Sequence, residues 1–306
     1  MELNFEFKKE RKLGEIVQDF INLLRLVLKH FFDTIFRMAV LPLCFMLILI
    51  YYGTTKINLT GNRDFSESLD LIVVAIVVAV LLVLVSLVFF GLAIEYFILL
   101  KTQRNTDFSS ADVWHSFRQH IGKYFVFLLV ALLAILILFV PLGVVVVILA
   151  FIPLLGSFAI GILFAFVGVW FFCAFLFYPE GYMEAGSSLQ QTFSILRKKI
   201  IDYSVSSYVV GFVFQVLLMM LSLMPVLIIG LIAYNTIGFE DTFFESVYGR
   251  MFVSIGATIL ILLYIVYYMF SVLVYGIIYE TAKEVTYGED IYAKIQRLGE
   301  EGSDVV

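Results

Sequence analysis

Residues 124 to 179 read YFVFLLVALLAILILFVPLGVVVVILAFIPLLGSFAIGILFAFVGVWFFCAFLFYP, a run of 56 residues without one charged side chain. A helix that crosses a membrane needs about 20 predominantly apolar residues, so this run is too long for one crossing and holds two. Inside it stands FIPLLG, Phe151 to Gly156, where proline and glycine suit a tight turn between two helices. The apolar residues come in blocks rather than at every second position, which favours helices over a membrane β-barrel.

The rest of the chain has the same character. With 62% hydrophobic and 15% charged residues it cannot form a water-soluble surface around a single core. Further charge-free runs cover 71 to 94, 203 to 239 and 251 to 279. Adding a shorter first span gives six: 34 to 52, 69 to 100, 124 to 150, 157 to 178, 204 to 235 and 249 to 281. The predicted fold class is all-α integral membrane.

Basic residues set the orientation, because Lys and Arg are retained on the cytoplasmic side during insertion. Of the 20, 17 fall in the N-terminal region, in the segments around 101 to 123 and 197 to 199, and in the tail; only Lys56, Arg63 and Arg250 fall on the other side. Both termini are therefore expected in the cytoplasm. MELNFEFKKERKLG opens with mixed charge and no small-residue cleavage site, so the first span is expected to remain in the mature chain. Cys44 and Cys173 fall inside spans, where a thiol acts as a small packing residue. Asn58-Leu59-Thr60 matches a glycosylation triplet on the outer side, weak evidence at three residues.

SSLQQTFSILRKKIIDY, residues 187 to 203, is the most polar stretch between two spans. Phe193, Leu196, Ile200 and Tyr203 are spaced to share one helix face, with Arg197 after the second. Trp114, Phe117, Ile121 and Tyr124 with Arg118 repeat the spacing, as do Ile21, Leu24, Leu28 and Phe31 with Arg25. Each copy reads as a cytoplasmic interfacial amphipathic helix, the last capped by Ser187 or Ser188. Residues 1 to 306 then form a single membrane domain of three units, each such a helix followed by a membrane hairpin. The units are 10–100, 109–178 and 187–281, followed by a cytoplasmic tail at 282–306. Units that all begin inside are parallel repeats, which disfavours inverted-repeat transporters. A proline in each odd span (Pro42, Pro141, Pro225) is similar to mitochondrial carriers, but their flanking acid and base are absent and that assignment is rejected.

Acids mark the cytoplasmic ends of the even spans: Glu95, Glu180 with Glu184, and Glu280 with Glu284. Ion pairs are expected between Arg25, Arg118 or Arg197 and Glu95, Glu180, Glu184 or Glu280, since one arginine per interfacial helix and one acid per even span lie at similar depth. Gln215, near the middle of the fifth span, needs an interhelical partner for its amide. His30, His115 and His120 read as surface or headgroup histidines. No sequence motif for a nucleotide, metal or acyl-transfer site is present, so neither a catalytic site, a cofactor nor a metal is expected.

Three stretches carry a resemblance: RKLGEIVQDFINLLR at 11 to 25, PEGYMEAGSSLQQTFSILRK at 179 to 198, and YGIIYETAKEVTYGEDIYAKIQRLGEE at 275 to 301. In these the chain resembles bacterial multi-pass proteins similar to the membrane domain of glycerophosphoryl diester phosphodiesterases. The resemblance implies the bacterial inner membrane and a link to lipids or envelope maintenance. The phosphodiesterase half is missing and no catalytic residue carries over. The expected function is a non-enzymatic module that binds membrane lipids, anionic ones among them, or a membrane-protein partner. The alternative is a transporter or lipid-moving protein with a cavity among the hairpins. Nucleic acid is not an expected partner.

Overall fold

The computed structural model describes residues 3–55, 65–153, 155–181, 184–236 and 247–288. The structure is 91% helical and has no strands among those residues. In chain order the helices are α1 (Leu13–Thr55), α2 (Phe65–Gln103), α3 (Ser110–Ala150), α4 (Leu155–Glu180), α5 (Ala185–Leu196), α6 (Ile200–Thr236) and α7 (Val247–Tyr287), with a 3₁₀ turn at Arg197–Lys199 between α5 and α6.

Local chemistry explains the boundaries near the site. The Asp112 carboxylate accepts from the Ser109 backbone N–H at 2.7 Å and from the Ser109 hydroxyl at 2.8 Å, closing the start of α3. At the other end of α3 the chain turns within Phe151–Gly156, as expected. Phe151 N–H donates to Ile148 O, and Gly156 N–H to Ile152 O at 2.9 Å. A Cβ on Gly156 would fall 1.9 Å from the Leu149 carbonyl oxygen, so only glycine lets α4 start this close to the end of α3.

Among the described residues five helical stretches are long and apolar enough to cross a membrane: Ala75–Gln103, Ser110–Ala150, Leu155–Glu180, Ala185–Leu223 and Ser254–Tyr287. The protein is a multi-pass membrane protein. The span expected at 34 to 52 lies within α1, where the described residues contain only a shorter apolar stretch, Cys44–Gly53. Residues 56–64, with Lys56 and Arg63 of the side expected to face outward, lie outside the described residues, as do 237–246 and most of the tail. On α3, Leu136, Ile137 and Phe139 are more than 70% exposed, an apolar surface that suits lipid as its solvent.

The chain forms two compact units. The first comprises Met1–Phe31, Ala93–Phe212 and Ser271–Val306. Its core joins Phe20, Leu23 and Val27 of α1, Ile94 and Phe97 of α2, Phe117 and Tyr124 of α3, and Val272 to Ile278 of α7. Tyr124 stacks on Phe117 and on Phe175, at 5.6 and 5.2 Å between ring centres. The second unit comprises Phe32–Leu92 and Val213–Phe270. Phe270 is central to it, stacked on Phe214 at 5.7 Å and edge-on to Phe32 at 5.3 Å.

Two expectations about the polar segments are corrected. At α1 and α3 no separate interfacial helix precedes the span; the amphipathic turns and the span form one helix. Only α5 is separate, and its N-cap is Glu184 rather than Ser187 or Ser188, which lie inside the helix. The faces also differ. In α1 the buried positions are Ile16, Phe20, Leu23, Val27 and Phe31, while Ile21 and Leu28 are exposed. In α3, Phe117 and Tyr124 are buried but Trp114 and Ile121 are exposed. In α5, Leu196 is buried and Phe193 is exposed, its ring edge-on to Trp170. Where both sides of a helix are apolar, spacing alone does not identify the side that meets protein.

Candidate functional site

The polar chemistry of the first unit collects around two buried glutamates. Glu95, on α2, has no exposed surface. Three residues of α3 spaced four apart, Ser116, His120 and Tyr124, meet it from one helix face. The Ser116 hydroxyl donates to Oε2 at 2.6 Å, His120 Nδ1 donates to Oε1 at 2.7 Å, and the Tyr124 hydroxyl also donates to Oε1. Three donors thus satisfy a carboxylate that burial would otherwise leave without hydrogen-bond partners. Its bond to Nδ1 leaves Nε2 as the free position of a ring that is 28% exposed.

Glu280, on α7 and 1% exposed, forms an ion pair with Lys101 Nζ at 2.9 Å. The same ammonium pairs with Glu180 at the end of α4. The other oxygen of Glu180 accepts from the Tyr279 hydroxyl at 3.0 Å and lies 3.8 Å from Lys283 Nζ. Lys101 and Lys283 both stand over the Tyr279 ring, at 5.9 and 5.2 Å. Two acids and two ammonium groups thus compensate each other and fasten the ends of α2 and α4 to α7.

A third anchor is Arg11, 1% exposed despite its position ahead of α1. Its guanidinium donates to Asp19 at 2.7 Å, to the carbonyls of Phe7 and Lys9 at 3.0 and 3.1 Å, to the Glu6 carbonyl, and to Thr281 Oγ1 of α7 at 3.4 Å. His30 is held as well. Its Nε2 donates to the Phe108 carbonyl at 3.0 Å, which fixes the tautomer and leaves Nδ1 to accept from the Tyr96 hydroxyl at 2.9 Å. His30 and His120 are therefore packed and bonded rather than loose headgroup histidines; His115 is exposed and bonds Gln119 at 2.9 Å.

The arginines expected to meet these acids do not. Arg25, Arg118 and Arg197 are exposed, and among the described residues none forms an ion pair with Glu95, Glu180, Glu184 or Glu280. Lys101 and the α3 donors take the positions assigned to them. Glu184 is exposed at the start of α5, and Glu284 is buried. Lys101, Arg11, Ser116 and Tyr124 were not identified as site residues from sequence. The spacing of 116, 120 and 124 was visible, but not that this face turns toward Glu95.

Gln215, on α6, is exposed and lines a pocket of about 500 Å³ within the second unit. Cys44 is exposed, and Cys173 is buried with its thiol 3.7 Å from the Tyr275 carbonyl. Among the described residues no group of three or more His, Cys, Asp or Glu is arranged to hold a metal ion. No family model matches the chain, and neither a curated protein nor a solved structure matches it.

Proposed function

We propose that the protein is a non-enzymatic membrane module that holds anionic lipid, or a partner that carries it, against its cytoplasmic face. The observation that carries the reading is that Arg25, Arg118 and Arg197 are exposed and free of the neighbouring carboxylates, of which Glu280 pairs with Lys101 and Glu95 accepts from side chains of α3. Arginines not tied to acids are available to phosphate, which a guanidinium grips in a bidentate fork. Each basic residue near an anionic leaflet contributes about 1 kcal/mol. The polar groups around Glu95 and Glu280 are engaged with one another, as structural anchors are. The same proposal includes six spans in three hairpins, both termini in the cytoplasm, and the bacterial inner membrane. The resemblance to the membrane domain of glycerophosphoryl diester phosphodiesterases belongs to it too, with the role in envelope maintenance that it implies.

The test compares wild type with Arg118→Glu and Arg197→Glu for retention of phosphatidylglycerol, by liposome flotation and native mass spectrometry. Clear loss in both variants supports the reading, and unchanged retention refutes it. A second reading, transport or lipid movement through the bundle, draws on the pocket at Gln215. It requires flux across proteoliposomes that blocking that pocket stops.

A further inference from the structure

The pocket in the second unit has a chemistry distinct from that of the arginine surface. Gln215, Leu218 and Ser222 face it from α6, and Leu263, Tyr264 and Tyr268 from α7. Its volume of about 500 Å³ lies within the range of small-molecule sites. Phe214 against Tyr267 and Phe270, at 6.2 and 5.7 Å, holds the two helices together beside it. Among the described residues no acid, base or histidine lines it, because both helices cross here in their charge-free runs.

Three of the lining side chains carry polar groups with no hydrogen-bond partner among the described residues. The Gln215 amide and the hydroxyls of Tyr264 and Tyr268 make no hydrogen bond among the described residues, whereas the Ser222 hydroxyl bonds back to the Met219 carbonyl at 3.0 Å. All three side chains are exposed at the pocket, and within membrane-spanning stretches polar groups need partners other than water. A charged headgroup would find no countercharge in it. The ligand is therefore uncharged, apolar along Leu218 and Leu263, and polar at several points. A single-hydroxyl lipid offers only one oxygen to the three side chains. A lipid with two ester carbonyls and one hydroxyl satisfies all three, the carbonyls accepting from tyrosine or amide N–H and the hydroxyl donating to the amide oxygen. We propose that this pocket binds an uncharged glycerolipid of the diacylglycerol class. The proposal stands whether or not the arginine surface holds anionic lipid.

Full-length protein in detergent is mixed with dioleoylglycerol or dioleoylphosphatidylglycerol, and bound lipid is counted by native mass spectrometry. Wild type retains dioleoylglycerol. Gln215→Leu, which removes the amide, and Leu263→Trp, which fills the space, each reduce that retention on the order of tenfold, the effect of about 1.4 kcal/mol. Arg118→Glu leaves it unchanged. If Gln215→Leu does not fold, Leu263→Trp carries the test, since it removes no polar partner. Equal dioleoylglycerol retention in wild type and Leu263→Trp overturns the proposal. So does loss of phosphatidylglycerol alone in the pocket variants, which would assign the site to a charged lipid. Loss of phosphatidylglycerol in Arg118→Glu with dioleoylglycerol kept separates the two lipid sites.

Discussion

Glu95 of α2 and His120 of α3 lie 2.7 Å apart, carboxylate oxygen to Nδ1, with the acid wholly buried and the ring partly exposed. Ser116 and Tyr124, one helical turn to either side, donate to the same carboxylate, so a single acid fixes the register of α3 against α2. Glu95→Leu removes the acceptor of all three donors and is expected to cost about 2–3 kcal/mol, because the buried Tyr124 hydroxyl is left unsatisfied and the links from Ser116 and His120 are lost. Tyr124→Phe leaves two donors in place and costs about 1 kcal/mol. Thermal unfolding in detergent ranks the two, and a Glu95→Leu protein that melts like wild type shows the network to be dispensable.

Lys101 is the only cation within 4.0 Å of Glu280 among the described residues. Lys101→Met leaves Glu280 charged and buried and is expected to destabilise by about 3 kcal/mol or more. Adding Glu280→Gln removes the stranded charge and recovers part of the loss. A double variant no more stable than Lys101→Met alone would show that the pairing is not what makes the single change costly.

Gly276 lies so close to the Phe97 ring that an added Cβ would fall 2.3 Å from its Cζ. Gly276→Ala is expected to cost about 1–3 kcal/mol through overpacking between α7 and α2. Phe97→Leu in the same chain makes room and restores much of it. The measurement is the melting temperature of the single and paired variants; no recovery in the pair places the strain elsewhere.

Orientation is testable in intact cells after Cys44→Ser and Cys173→Ala remove the native thiols. A cysteine at Gln190, exposed on α5, is expected to be shielded from an impermeant maleimide until the cells are opened, and one in segment 236 to 248 to react at once. Strong labelling of position 190 in sealed cells would reverse the topology.

Much of the architecture was legible before any coordinates, and the reason lies in the solvent. The run from 124 to 179 permits two membrane helices and one turn, and α4, the end of α3 and the Phe151–Gly156 connection follow that reading to within a few residues, whereas α3 begins at Ser110, well ahead of the run. The site was less legible. Glu95, Glu180 and Glu280 were picked out as acids at helix ends, but the arginines chosen for them are exposed, and the cation that reaches Glu280 is a lysine 179 residues away in the chain.

The amino-acid sequence by itself determined that this chain crosses a membrane, because charge-free runs longer than a bilayer is thick have no stable place in water. It also determined where α3 turns into α4, because proline and glycine act on their own backbone. Only the tertiary structure decided which side of each helix meets protein and which donor meets each buried acid. Spacing put Leu28 of α1 on the shared face, yet Leu23 is the one buried against protein and Leu28 is exposed. Glu95 finds Ser116, His120 and Tyr124 rather than an arginine because the packing of α2 on α3 sets the side-chain distances, and a hydrogen bond requires partners within about 3 Å.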